Sequence, residues 1–206
     1  MAIELYSWPM SSGTRIMWAL EELGLPYKYV AVDREKNEHR SPAYLAVNPH
    51  GKVPALVDDA QRFFESGAIL LHLGNKYGVD KKLWPPSGGQ ERADAVSWTV
   101  WAMTELGPYM MQYLYHGLDS PVSYKPADRS KAAAEYNLSQ FNRMLDTLEA
   151  RFDGREYLLG GFSLADVAAA SWLALGGMLG LKLEKHPRVA GWCKRCADRP
   201  AFKKAR

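Results

Sequence analysis

Two short segments hold the residue types and spacing that could do chemistry. In Asn48-Pro49-His50-Gly51-Lys52-Val53-Pro54-Ala55-Leu56, a proline follows a glycine loop and directly precedes an apolar run. If the Val53–Pro54 bond is cis, the Val53 backbone turns outward with its N–H and C=O unpaired. It can then pair with an extended, peptide-like ligand as an added edge strand would. If the bond is trans, Pro54 simply begins a strand. Downstream, Glu65-Ser66-Gly67-Ala68-Ile69 brings a carboxylate, a hydroxyl and backbone N–H groups to a strand-to-helix junction. That set suits a ligand carrying both an ammonium and a carboxylate; read locally, Ser66 is equally a plain helix cap.

These segments are held by alternating short strands and helices over the first 78 residues. Ile3 to Tyr6 reads as a strand, and Ser11 or Ser12 can cap a helix through Leu23 whose Ile16, Ala19, Leu20 and Leu23 repeat at three-to-four spacing. Gly24 and Pro26 stop it. Tyr27 to Val32 is a second strand, Asp33 to Arg40 a loop, and Ser41-Pro42 opens a short helix. Val53 to Val57 and Arg62 to Phe64 flank a hairpin turn, and Ser66 to Tyr77 is a helix ended by Gly78. Residues 79–89, rich in Pro and Gly, read as a linker.

No strand signal follows. Helices are expected from Gln90 to Leu106, broken or kinked at Gly107-Pro108, from Pro126 to Phe152 with a stripe of Leu138, Phe141, Leu145, Leu148 and Phe152, from Ser163 to Leu181, and a last one from Pro187 to Asp198, stopped by Pro200. The expected organisation is a small α/β domain over 1–78, the linker 79–89, and an all-helical domain over 90–206.

Composition narrows the function classes. With 26 Lys and Arg against 23 Asp and Glu in 206 residues, the net charge of +3 demands no nucleic acid or anionic membrane. Hydrophobic residues at 47% and charged residues at 24% fit an ordinary globular chain. The longest strongly apolar run lacking a charge is Val167 to Leu181, short of the roughly 20 residues a bilayer span needs. No signal peptide is visible, and two cysteines make no disulfide framework, so a cytoplasmic protein is expected.

Ser11-Ser12-Gly13-Thr14-Arg15 after the first strand, Asn48-Pro49 with Val53-Pro54, Glu65-Ser66 with Ala68-Ile69, and Phe162-Ser163-Leu164-Ala165-Asp166 stand in an order that resembles the cytosolic glutathione transferases, of the bacterial, serine-type kind. The resemblance spans nearly the whole chain. It implies a thioredoxin-like first domain, an all-helical second domain, a capping box with hydrophobic staple at Ser163 and Asp166, and a homodimer.

It also implies a site. The Val53 backbone would pair with the cysteinyl part of glutathione, with Pro54 cis, and Glu65 and Ser66 would hold the γ-glutamyl end. His39 and Lys52 would meet the glycine carboxylate, although a lone loop histidine is otherwise a solvated residue. Ser7 stands where other members carry a tyrosine, and no cysteine precedes Cys193, which excludes the cysteine-type mechanism. Ser11 or Ser12 would donate a hydrogen bond to the thiol sulfur and, with the helix dipole, lower its pKa. Ser11 is favoured because Ser12, closer to the helix, is expected to be engaged in capping; the remaining alternative is that neither serine donates and backbone groups with the helix dipole activate the thiol. Among the aromatic and Met residues from Trp98 to His116, Met111 and Tyr115 are the candidates for the second-substrate pocket.

The pair Cys193 and Cys196 has redox spacing but lies in the final helix of the wrong domain, so it is read as structural. No metal is expected. The implied activity is conjugation of glutathione, as co-substrate, to a hydrophobic electrophile. The alternatives are a glutathione-dependent isomerase or peroxidase on the same site, or a non-catalytic binding protein that kept the fold.

Overall fold

The computed structural model describes residues 2–205, which fall into two units. The first runs to Pro86 and takes in Arg199 onward, and the second spans Ser87–Asp198.

In the first unit a four-stranded sheet has the order β2-β1-β3-β4, built from β1 (Ile3–Ser7), β2 (Lys28–Ala31), β3 (Ala55–Asp58) and β4 (Gln61–Phe64). β1 pairs parallel with β2 and antiparallel with β3, and β3 pairs antiparallel with β4. Ile3, Leu5 and Ser7 are buried on one face of β1. Tyr6 takes the other face, where its ring meets Tyr44 edge-on at 6.1 Å, as strand alternation requires. Helices α1 (Gly13–Leu23), α2 (Pro42–Leu45) and α3 (Ser66–Leu73) complete the expected β-α-β, β-β-α order. Gly24 closes α1 in the left-handed conformation that glycine adopts without cost (φ 63°). The segment 33–40, expected as loop, holds one 3₁₀ turn over Glu38–Arg40.

The hairpin end of the sheet is fastened by a buried carboxylate. Asp58 accepts hydrogen bonds from His72 Nε2 (2.7 Å), Lys76 Nζ (2.9 Å) and Tyr77 Oη (2.8 Å). Desolvation works against its charge, yet these three donors hold its pKa below the ordinary carboxylate value.

Pro200 stops the preceding helix at Asp198, as expected, and also begins a further one. It occupies the first turn of a short helix, α9 (Pro200–Lys204), a position that tolerates its missing N–H. Phe202 meets the Trp18 ring of α1 at 4.8 Å, Arg199 grips Glu22 through two bonds of 2.6 and 2.7 Å, and Lys204 reaches Glu21 at 2.5 Å. The last residues therefore belong to the first unit, whereas 90–206 had been expected as one domain, and the break between units comes at Pro86–Ser87 inside the expected 79–89 linker.

The second unit is helical: α4 (Gly89–Trp101), α5 (Gly107–Gly117), α6 (Lys131–Arg151), α7 (Leu164–Met178) and α8 (Pro187–Asp198). Gly107-Pro108 causes no break, because a widened, π-type turn over Ala102–Leu106 absorbs the proline and carries the run from α4 into α5. Pro126 does not start the long helix. It opens a single 3₁₀ turn, Arg129 is extended, and Ser130 caps α6 by accepting from Ala133 N at 3.2 Å. Phe141, Leu145, Leu148 and Phe152 are buried as the stripe required, with Leu138 half-buried. At α7 the capping box is complete. Asp166, fully buried, accepts from Ser163 N and Oγ (both 2.9 Å), Leu158 N (3.0 Å) and the Trp192 indole (2.9 Å). Burial pushes the Asp166 pKa up, and the four donors oppose that push.

Candidate functional site

Sheet register brings the chemistry-bearing segments to one edge. Tyr6 lies opposite Ala55, and Ala55 opposite Phe64. The loop leaving β1 at Ser7, the Lys52–Pro54 segment entering β3 and the Glu65–Ser66 turn leaving β4 therefore emerge together. Arg15 Nη1 donates to Ser66 Oγ at 3.1 Å and ties the start of α1 to the start of α3.

The cap expected of Ser12 is not made, and Ser11 is the serine whose hydroxyl is engaged. Ser11 Oγ donates to Trp8 O at 2.7 Å, lies 2.9 Å from Ser7 Oγ and accepts from Gly13 N at 3.1 Å. Its hydroxyl is thus committed to the loop. Ser12, at the N-cap of α1, makes no side-chain cap bond, and among the described residues its half-buried hydroxyl has no hydrogen-bond partner. The reason is local backbone. Met10 turns left-handed (φ 58°) and folds Ser11 back over the Trp8 carbonyl, so Ser11 does the fastening. Ser7 lies buried beneath Gly13, where a Cβ would come within 1.8 Å of its Oγ; only glycine fits there.

The Val53–Pro54 peptide bond is cis. Among the described residues, the Val53 N–H and C=O make no backbone or side-chain hydrogen bond. Its neighbour is pinned instead. Lys52 O accepts from Tyr44 Oη (2.5 Å) and Asn48 Nδ2 (2.6 Å). Burial pushes the Tyr44 phenol up to about 12, so it remains a donor throughout the physiological range. The Lys52 side chain is exposed. His39 sits in the 3₁₀ turn with its ring edge-on to Trp8 at 5.6 Å, and its buried Nδ1 has no hydrogen-bond partner among the described residues.

Glu65 holds an unusual backbone for a residue with a side chain (φ 65°, ψ 119°), with its carboxylate exposed and not capping α3. Strain of that kind concentrates at ligand sites. Ser66 is buried beside Arg15, whose pKa burial lowers to about 9, so the guanidinium stays charged at neutral pH. Arg15, Trp8, Tyr44 and Asn48 are site supports that sequence reasoning passed over. Arg15 did carry a signal: it lies on the same apolar stripe as Ala19, where a charge is out of place.

A family model described as the N-terminal domain of glutathione S-transferase matches residues 1–75, and one for the C-terminal domain matches residues 107–200. The chain belongs to the glutathione S-transferase family. It is similar to the disulfide-bond oxidoreductase YfcG of Escherichia coli strain K12, 31% identical over 97% of this chain and 92% of the relative. Glutathione S-transferase F10 of Arabidopsis thaliana is 32% identical over 98% and 95%. Glutathione transferase URE2P6 of Phanerochaete chrysosporium, solved in complex with oxidised glutathione, matches with a TM-score of 0.85 at 31% identity, covering 98% of this chain and 94% of that one. The thioredoxin-like unit followed by a helical unit is the architecture of this family.

Within this glutathione S-transferase, Met111 and Tyr115 lie one turn apart on α5 and are half-buried. Tyr115 packs on Tyr124 at 5.1 Å. Cys193 and Cys196 are free thiols on α8. Burial lifts the Cys193 pKa to about 12, which disfavours the thiolate at neutral pH. Among the described residues no His, Cys, Asp and Glu group could hold a metal ion, and no helix is long and apolar enough to cross a membrane.

Proposed function

We propose that this protein binds glutathione at the sheet edge and activates its thiol for attack on a hydrophobic electrophile. The Val53 backbone pairs with the cysteinyl residue. Glu65 and Ser66 take the γ-glutamyl end, with Arg15 setting Ser66, and His39 and Lys52 take the glycine carboxylate. Ser12 donates its hydroxyl hydrogen bond to the sulfur, favouring the thiolate, with the N-terminus of α1 adding its dipole. The thiolate forms the new C–S bond as the leaving group or π-electron pair departs. The observation that supports this reading best is the unpaired Val53 backbone before cis Pro54, at the end of the sheet from which the loop leading to the uncommitted Ser12 hydroxyl also departs. In the helical unit, Met111 and Tyr115 belong to the electrophile pocket. The protein acts in detoxification in the cytoplasm as a homodimer, and exposed Phe64 and Val100 suit such an interface.

A second reading has support of its own. The Escherichia coli relative is a disulfide-bond oxidoreductase, and the Phanerochaete neighbour holds oxidised glutathione. On this reading the thiolate attacks one sulfur of a disulfide, forming a mixed disulfide and releasing the other sulfur as thiolate. Isomerisation and peroxide reduction remain on the same site.

Calorimetric titration with glutathione, followed by initial rates against aryl halides, enones, hydroperoxides and small disulfides, tests the whole scheme. Binding with turnover of carbon electrophiles is the expected result. Turnover of disulfides alone selects the second reading, and an absence of glutathione binding overturns both.

A further inference from the structure

We propose that the segment between α5 and α6, residues 119–130, is a strap whose Tyr124 positions Tyr115 and so favours flat, aromatic electrophiles. The inference rests on the reading that Tyr115 lines the electrophile pocket, and deepens it by naming the residue that sets that ring.

α5 ends at Gly117 with Leu118 extended, so its last carbonyls have no helical partner. The strap supplies two of the missing donors. Ser123 Oγ donates to Leu114 O at 2.8 Å, and Tyr124 N donates to Tyr115 O at 3.0 Å. Ser120 N in turn donates to Ser123 Oγ at 3.1 Å. Arg129 closes the strap on itself, with Nε on Tyr124 O at 2.7 Å and Nη2 on Asp119 Oδ1 at 2.8 Å. The far end returns to the last turn of α5, where His116 Nδ1 accepts from Ser130 N at 3.1 Å.

These bonds fix where Tyr124 enters. Its ring lies 5.1 Å from that of Tyr115 at a tilt of 30°, and 4.9 Å from the His116 imidazole, edge-on at 71°. Among the described residues no other ring meets Tyr115 and no hydrogen bond holds its hydroxyl, so Tyr124 is its aromatic support. A ring held in one orientation offers a flat partner a stacked or edge-on contact, from which a small aliphatic electrophile gains little.

The support can let go. None of residues 119–130 is buried, Tyr124 is 42% exposed, and the Asp119 carboxylate that Arg129 grips is 93% exposed and open to screening. Segments with few buried apolar contacts open locally at small cost. The strap can therefore release Tyr115 while α5 and α6 stay folded.

Native-state hydrogen exchange tests the strap in the free protein. The Tyr124 and Ser130 amides should exchange at least about tenfold faster than amides in the middle of α5 and α6, at a rate indifferent to dilute urea. In NMR spectra of protein with isotope-labelled tyrosine, Tyr124→Ala should shift and broaden the Tyr115 ring signal. Tyr124→Phe should restore it, because the ring makes the contact. In kinetics, Tyr124→Ala should raise KM for chlorodinitrobenzene about tenfold, the worth of one aromatic pair. Its kcat should stay within about twofold, with methyl vinyl ketone turned over as by wild type. Strap amides that exchange only with global unfolding, an unmoved Tyr115 signal in Tyr124→Ala, or equal losses on both electrophiles overturn the proposal. Wild-type protein inactive on both electrophiles fails the conjugation reading and the selectivity with it, while exchange and NMR, which need no glutathione, still decide the positioning of Tyr115.

Discussion

Of the helices with a serine at the N-cap, α7 and α1 use it in opposite ways. At α7, Ser163 and Asp166 satisfy one another and two further donors in a buried, closed set. At α1, Ser12 stands at the N-cap and caps nothing. Glu65 at α3 repeats the second pattern, occupying the cap position with a strained backbone and an exposed carboxylate. Where local rules are fully met the element serves stability; where they are left unmet, the polar group is kept for something outside the chain.

Breaking the closed end should have the largest effect. Asp166→Ala leaves buried N–H groups of Leu158, Ser163 and Trp192 without their acceptor, and should cost about 3–5 kcal/mol. Urea unfolding reads this directly, and the folded fraction should bind glutathione as wild type does. Asp58→Asn should come next, at about 2 kcal/mol at pH 7, discounted because Lys76 is partly exposed. The Asp58 pKa is lowered in the folded state, so its stabilisation is present above the unfolded value of about 3.9 and lost as pH falls through and below it. The gap between wild type and variant should therefore close as pH falls below about 4, and a gap that stays constant would contradict the ion-pair account.

At the open end the effects move from stability to chemistry. Ser12→Ala should raise the pKa of the bound thiol and cut turnover about tenfold, the loss of roughly 1.4 kcal/mol from one charge-assisted hydrogen bond, with stability within about 0.5 kcal/mol of wild type. Ser11→Ala should do the reverse, losing about 1 kcal/mol of stability while the thiol titration holds. Thiolate absorbance against pH, run beside thermal melts, separates the two. The smallest change is at Glu65→Gly, which should gain up to about 1 kcal/mol by relieving the left-handed backbone yet weaken glutathione binding several-fold in calorimetry.

What the sequence made legible was whatever depends on near neighbours. The Ser163–Asp166 box, the Gly24 stop and the Phe141-Leu145-Leu148 stripe are all written within a few residues. The prolines were harder, because each acts through its surroundings. Pro108 was absorbed by a widened turn, Pro126 was overruled by the better cap at Ser130, and Pro200, after stopping α8 as expected, also began a further short helix. At the site, Val53–Pro54 and Glu65–Ser66 were found as segments, but the division between Ser11 and Ser12 was not. That division depends on where the Trp8 carbonyl lies after Met10 turns left-handed, and residue types do not report a carbonyl's direction. Arg15 was missed for a related reason: its partner Ser66 lies 51 residues away.

The return of the C-terminus onto α1 has a consequence for synthesis. Glu22 leaves the ribosome 177 residues ahead of its partner Arg199, and Glu21 leaves 183 residues ahead of Lys204. A growing chain can pair its strands early, but one side of α1 stays bare until Arg199, Phe202 and Lys204 have emerged. The first unit is thus completed only after the whole of the second has been made, and a chain cut before Arg199 has a first helix without that cover.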